Sequence, residues 1–474
     1  MREFCGRYYQ VVLGVLWACA CFVFFQFCYP YHFFYQEQSQ IFLWSWDYVS
    51  TYFEHPGGLA VLVGDFLTQF FYYLYVGATL VTLCLLALGG ILHLALKNFG
   101  CNRHVAFAVS IGVMTFFAVC HFSHTYRLSS TISMIGWACV LWLVSFIKGQ
   151  RGKRRWGLRC ICLATSLLPA YLLFGFPQIK KVGMPDFILE KDFAVDNEYY
   201  FGNYGKVIGM VEGSEQWTKE MLFFYNLVQA QRGQLPDHLL SFTPNELGTF
   251  YKIGPETPLL TIRNMNELYW VLGDMTFTER AAMMANVFSR DNRNVRMIRR
   301  LAECSIVSGD TLAAEKYLRL LDKTLAYRAW ARNIRANGES IYRDKMRFVN
   351  RHDTITTTDN AHFLMMQLLD TNPDNTVALD YILCSNLLLK DIANFKRDYD
   401  RYCMETGKPR VKTLYQEALC IWLAGSDAPQ EEWRRYIQRP DIVQRFMDYN
   451  KQRGNARFKG SYWYYFDKVK APEI

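Results

Sequence analysis

Apolar residues are unevenly distributed along this chain of 474 residues, and the long runs almost free of charge all fall before Phe176. Five runs stand out, residues 8–29, 74–96, 105–122, 128–147 and 160–176. Each has the length a helix needs to cross roughly 30 Å of hydrocarbon. A helix is the expected form because it pairs its own backbone groups where water is absent. From Trp217 onward apolar positions recur at helical spacing among charged ones. The pattern predicts an all-α chain: a transmembrane domain over 1–176 with about five spans, a linker over 177–215, and a soluble α-helical domain over 216–474. A strand-like piece is signalled within 187–208.

The segment between the first two spans is neither a plain loop nor a span. Residues 29–53 carry eleven aromatics, Trp44, Trp46, Tyr48 and Tyr52 among them, interspersed with Glu37, Gln38, Asp47 and Glu54. Tyr and Trp favour the membrane–water boundary, where one end of the ring system is apolar and the other meets water. An interfacial helix is expected over about 34–53, broken at His55-Pro56-Gly57-Gly58. A second follows over 59–73, with Asp65, Gln69 and Tyr72 on one polar stripe.

Charge gives this arrangement a direction. Arg2 and Arg7 precede the first span, Lys97 and Arg103 bracket the turn between spans two and three, and six basic residues from Lys148 to Arg159 crowd the turn between four and five. The other short connections hold only Arg127. Basic loops stay on the cytoplasmic side, so the N-terminus is expected inside and everything after Phe176 outside. A cleaved signal peptide is the rival reading of the first run, but Trp17 fits a cleavage site poorly and the apolar run continues through Phe27. Residues 177–474 hold 41 Lys+Arg against 38 Asp+Glu, a balance that argues against nucleic acid as a partner. Ten of the 14 cysteines lie before Phe176, and Cys304, Cys384, Cys403 and Cys420 are widely spaced. Buried free thiols are expected rather than a disulfide framework, and neither a metal site nor a cofactor is implied.

Several polar residues are expected on the outer side. His121 and His124 sit three apart at the end of span three, Arg127 follows, and His32, His55, Asp65 and Gln69 lie on the same side. Two readings are open. In one, Glu37 or Asp47 is a general base, and the histidines or Arg127 bind an anionic substrate. In the other, these groups bond interfacial backbone and lipid headgroups. A pair of histidines is too few for zinc, which takes three or more protein ligands.

In the C-terminal half Gly233, Gly273 and Gly309 fall between apolar helical runs at spacings of 40 and 36 residues, near the period of helix–turn–helix repeats. Around Gly309-Asp310, Ile298, Leu301, Ala302 and Ser305 line one helix and Ala314, Leu318 and Leu321 the next. This unit resembles a tetratricopeptide repeat over about 34 residues. Later hairpins are looser, one having Lys390-Asp391 in place of a glycine turn. Asp359 is expected to cap a helix holding His362, Met365 and Met366 as core or face residues. The aromatic run from Tyr462 to Phe466 is expected either to pack back on the last helices or to dock elsewhere. No nucleophile, phosphate-loop or metalloprotease motif occurs.

Together, Gln36-Glu37-Gln38, His55-Pro56-Gly57-Gly58 and the run from Phe66 to Tyr73 resemble an uncharacterised family of bacterial inner-membrane proteins. That resemblance spans the chain and implies a bacterial cytoplasmic-membrane location without implying an activity. The front end also distantly resembles integral-membrane glycosyltransferases that use polyprenyl-phosphate sugars, which implies an acidic residue in the first outer loop, Glu37 or Asp47, beside an amphipathic helix. Such enzymes usually have more spans than five. The expectations are therefore a membrane-anchored scaffold, contacting the bilayer through its spans and a protein partner through its tetratricopeptide-like domain, or a transferase acting at the outer boundary.

Overall fold

The computed structural model describes residues 2–147, 153–179, 182–242, 247, 256–347 and 360–472, and every regular element among them is helical. In chain order the first nine helices are α1 (Arg2–Val23), α2 (Tyr31–Gln38), α3 (Trp46–Ser50), α4 (Gly58–Thr68), α5 (Val76–Asn98), α6 (Arg103–Cys120), α7 (Leu128–Ser145), α8 (Lys153–Phe174) and α9 (Phe187–Tyr200). Five stretches are long and apolar enough to cross a membrane: Tyr8–Cys28, Val76–Asn98, Arg103–Cys120, Leu128–Ser145 and Gly157–Phe174. They match the five expected runs to within three residues at each end.

The chain divides into two compact units. The first comprises residues 1–197 with 286–302 and 315–337. Within it α5 packs on α1, α6 and α7, while α4 lies against α7 and α8. The core gathers Phe25, Tyr29, Phe33, Phe71, Leu85, Phe117 and Tyr126. Small residues set the spacing, as expected where helices associate in lipid by close contact rather than by exclusion of water. A methyl group on Gly64 would stand 2.5 Å from the Cα of Ser129 on α7, and one on Gly136 would meet the Phe174 ring at 2.3 Å. Ser129, Ser130, Thr131 and Ser133 are all buried on α7.

Where one interfacial helix over 34–53 is expected, the structure has α2, a non-helical stretch at 40–44, then α3 and a 3-10 turn to Glu54. The break has a partner. The Gln40 carbonyl accepts from Val295 N at 3.1 Å and Trp44 N donates to the Lys323 carbonyl at 2.8 Å. Residues far along the chain thus supply backbone hydrogen bonds that a helix would otherwise make locally. Residues 59–73 fall on α4 and a 3-10 turn at Gln69–Tyr72. Strand-like residues 187–208 are helical instead, α9 being started by Asp186, whose carboxylate accepts from Leu189 N at 3.0 Å.

The remaining helices are α10 (Tyr204–Glu212), α11 (Lys219–Gln231), α12 (Leu235–His238), α13 (Leu259–Leu272), α14 (Met275–Phe288), α15 (Val295–Ser308), α16 (Thr311–Asp322), α17 (Arg328–Ile341), α18 (Arg343–Met346), α19 (Ala361–Thr371), α20 (Thr376–Leu388), α21 (Ile392–Tyr399), α22 (Thr413–Gly425), α23 (Gln430–Tyr436), α24 (Pro440–Lys451) and α25 (Tyr462–Lys468). The second unit comprises residues 198–285, 303–314 and 338–474.

One turn recurs between these helices. Gly273, Gly309 and Lys390 have φ of 85°, 80° and 59°. Each is followed by an Asp whose amide reaches back to close the preceding helix, onto Tyr269, Ser305 and Asn386 respectively. That same Asp then caps the next helix: the side chains of Asp274, Asp310 and Asp391 accept from Phe277, Ala313 and Asn394 N, each at 2.9 Å. Gly233, with φ of 66°, ends α11 in the same left-handed conformation. α19 is capped by Asn360, which accepts from Phe363 N at 3.1 Å; Asp359, the expected cap, lies outside the described residues.

Within the second unit α20 is buried on every side from Ala378 to Leu388, a pattern that marks a central rather than a surface helix. It packs against α11, α12, α13, α19 and α21. The terminal aromatics pack back: Tyr462 and Tyr465 hydroxyls donate to the Leu387 and Leu388 carbonyls at 2.9 and 2.7 Å. These are end carbonyls of α20, which have no partner inside the helix. Trp463 Nε1 donates to the Glu417 carbonyl at 2.8 Å. Cys304, Cys384, Cys403 and Cys420 are buried free thiols, as expected.

Since Gly64 has no room for a methyl group, Gly64→Ala is expected to cost about 1–3 kcal/mol through overpacking of α4 on α7. Gly112 serves as control, because a methyl group there would meet nothing within 4 Å. Gly112→Ala should leave the thermal unfolding midpoint in detergent unchanged or raised, while Gly64→Ala lowers it.

Candidate functional site

The polar residues of the first unit fall into three groups, each assembled by α2 or α4. The first is built on the N-terminus of α2, where backbone N–H groups lack helical partners. Glu190 of α9 supplies them: its carboxylate accepts from Tyr31 N at 2.5 Å and His32 N at 3.1 Å. His32 is fully buried, its Nδ1 3.8 Å from Glu190. His121, also buried, bonds Thr131 through Nε2 at 3.0 Å. Tyr29, Asp186, His121 and His124 are the other titratable groups facing this pair. Burial pushes the Glu190 carboxyl up to about 8, against the pull of the two N–H donors. It drives His32 well below the ordinary histidine value and His121 down to about 3. All three groups are therefore neutral at pH 7.

A second group lies at the C-terminal end of α2. Arg296 Nη1 donates to Gln38 Oε1 at 3.0 Å and lies 2.8 and 2.9 Å from the two carboxylate oxygens of Asp196. Gln38 in turn donates to Asn197 at 2.7 Å. All four side chains are buried. Beside them Glu37 accepts from the Tyr327 hydroxyl at 3.1 Å. Glu37, Gln40, Gln69 and Tyr327 line a narrow pocket with room for about one water.

The third group surrounds α4. The Tyr52 hydroxyl donates to Asp65 at 3.0 Å and shares a 2.7 Å hydrogen bond with Tyr48. Arg293 lies over the Tyr48 ring at 4.7 Å, and Arg127 pairs with Asp291 at 2.8 Å. Burial raises the Asp65 carboxyl, opposed by Arg127, Tyr52 and Arg293.

The structure thus brings His32, His121 and His124 together, sets Glu37 beside Gln69, and sets Asp65 near Arg127. Asp47 and His55 are exposed and belong to none of these groups. Glu190, Asp196, Arg296 and Tyr327 were not among the sequence candidates. The only local trace of the first two is an acidic series, Glu190, Asp192, Asp196 and Glu198, in a helix whose other residues, Lys191 and Asn197 apart, are aromatic or apolar. No group of three or more metal-ligating side chains occurs among the described residues.

A family model described as a family of unknown function (DUF6057) matches residues 7–180 and 161–468. The chain belongs to that family. The two matches overlap on α8 and so run through both the spans and the helices that follow. No curated protein and no solved structure matches the chain.

The protonation states of the first group make its stability depend on pH. Because the folded-state Glu190 holds a proton that the unfolded carboxyl has lost, its contribution to stability is complete below about pH 4.5 and is lost as pH rises through about 8. The histidines act oppositely, losing stability only below their ordinary value of 6.5. Between pH 6.5 and 8 the slope from this cluster therefore belongs to Glu190, at most about 2 kcal/mol. Thermal unfolding of purified protein should show a midpoint that falls over that window and flattens in Glu190→Gln. Asp196→Asn leaves the buried Arg296 without its countercharge and is expected to cost about 3–5 kcal/mol, read as a large fall in the same midpoint.

Proposed function

We propose that this protein is a membrane-anchored scaffold of the bacterial cell envelope, with its N-terminus in the cytoplasm and its tetratricopeptide-like helical domain outside the cytoplasmic membrane. The observation that carries this reading is the state of Glu37. It is the acidic residue a transferase would need, yet it is buried, holds the Tyr327 hydroxyl, and faces space for about one water. Its chemistry is that of a structural acceptor. The recurring left-handed turn with its Asp cap supports the second half of the proposal, since hairpins built to one rule are the units from which peptide- and protein-binding helical surfaces are stacked. The basic clusters at Arg2–Arg7, Lys97–Arg103 and Lys148–Arg159 support the sidedness.

One observation favours the transferase alternative: Glu37 and Gln69 share a pocket beside an amphipathic helix. The two readings separate on one substitution. Glu37→Gln keeps an acceptor for Tyr327 but removes the base, so the scaffold reading expects normal protein level and normal complementation of a deletion strain. Loss of complementation at unchanged protein level would move the assignment to the transferase.

The scaffold is tested in two steps on intact cells. An alkaline phosphatase fused after Glu190 is expected to be active and a fluorescent protein at the same point dark. Crosslinking in native membranes, followed by purification of the full-length chain, should then recover a defined envelope protein in fixed proportion. An inactive phosphatase, or a correctly placed chain that recovers no stoichiometric partner, would overturn the assignment.

A further inference from the structure

The second unit carries a cleft of about 460 Å³ between α23 and α24, within the size range of ligand clefts. Trp433, Ile437, Pro440, Val443 and Met447 line it, and Arg434 is the charged group on its lining. The walls are held from beneath: Trp433 lies against Phe446, itself packed on Trp463, with ring centroids 6.4 and 5.4 Å apart. α24 begins at Pro440, which fixes the backbone at the start of one side of the cleft. The apolar surface therefore sits on a rigid base, while Met447 remains 53% exposed.

The cations around it differ in one respect. Arg439 is paired with Asp441 at 2.9 Å and Arg445 approaches Glu417 at 3.5 Å. Arg434 is exposed and pairs with no carboxylate among the described residues. A free guanidinium at the lip of an apolar cleft is complementary to a ligand that offers apolar side chains and a carboxylate together.

We infer that this cleft between α23 and α24 is a docking site for an amphipathic peptide segment of a partner protein, whose apolar face lies against Trp433, Val443 and Met447 and whose acidic residue pairs with Arg434. The inference rests on the scaffold reading and gives the partner a chemistry. Two facing helices with an apolar trough between them suit a third helix, anchored at helical spacing. Met447 and Trp433 supply the adaptable and the rigid halves of such an anchor site.

The test uses full-length protein in nanodiscs and a fluorescein-labelled amphipathic peptide with leucines on one face and glutamates on the other. A second peptide has lysine at each glutamate. Fluorescence anisotropy is expected to show the glutamate peptide binding about tenfold or more tightly than the lysine peptide, a difference of the size one charge pair produces. Arg434→Glu should reverse that preference, and Met447→Glu should abolish binding of both; both positions are exposed, and unchanged thermal unfolding verifies that the variants fold. Equal binding of the two peptides, an unchanged preference in Arg434→Glu, or binding of anionic phospholipid vesicles in place of the peptide through Met447 would each overturn the inference. Crosslinked recovery of an envelope partner that persists in Arg434→Glu and Met447→Glu would remove this cleft and leave the scaffold reading standing.

Discussion

The junction of α2, α9 and α15 turns on one buried charge pair, Arg296 with Asp196. Two ions withdrawn from water are tolerated only where further hydrogen bonds complete their shells. Gln38 performs that service for Arg296 and is itself fixed by Asn197. The consequence is structural rather than local. Asp196 closes the stretch that follows the fifth span, Gln38 ends the first helix after the first span, and Arg296 comes from 100 residues further along. One guanidinium thus joins three parts of the chain. The backbone bonds from Val295 to Gln40 and from Trp44 to Lys323 extend the same junction.

That junction explains why the membrane-spanning unit takes in residues 286–302 and 315–337. Aromatic residues between the first two spans would otherwise lie free at a membrane surface. Instead Tyr48, Tyr52 and Phe42 form a small core of their own with Leu62 and Phe66. Arg293 covers the Tyr48 ring, and Tyr327 meets both Glu37 and Tyr72. The segment is a socket for later parts of the chain, and its aromatic content reflects packing as much as affinity for the interface.

What could be read in advance follows from range. Spans were legible because crossing hydrocarbon is a requirement on consecutive residues. The hairpin turns at Gly233, Gly273 and Gly309 were legible because only glycine takes a left-handed conformation without penalty. Lys390 stands where the other hairpins have glycine and makes the same turn with φ of 59°; what holds it there could not be read, since its ammonium bonds the Phe466 carbonyl at 2.8 Å, 76 positions away. His32, His121 and Glu37 were found as polar residues in apolar surroundings. Their partners were not, because Glu190 lies 158 positions from His32 and Tyr327 lies 290 from Glu37. The break after α2 was hidden for the same reason, since its hydrogen bonds belong to residues that local periodicity cannot see.

The neutral state of the Glu190–His32 pair carries the argument one step further. A carboxylate at a helix N-terminus is ordinarily favoured in its charged form by the aligned N–H groups. Here burial outweighs them and the carboxyl is held protonated toward pH 8. The buried imidazoles of His32 and His121, packed against Phe25, Phe33 and Tyr126, are themselves neutral and provide no compensating cation. The site is consequently built to keep charge out at the end of the bundle, while the charged pair Arg296–Asp196, a few residues along α2 and α9, is held by its own ion pair and by Gln38. The two ends of α2 are thus held by opposite solutions to the same problem: one polar cluster is neutralised, the other joins opposite charges. Both clusters thereby fasten α2 to α9, one through the Glu190 carboxylate and the other through Gln38 and Asn197.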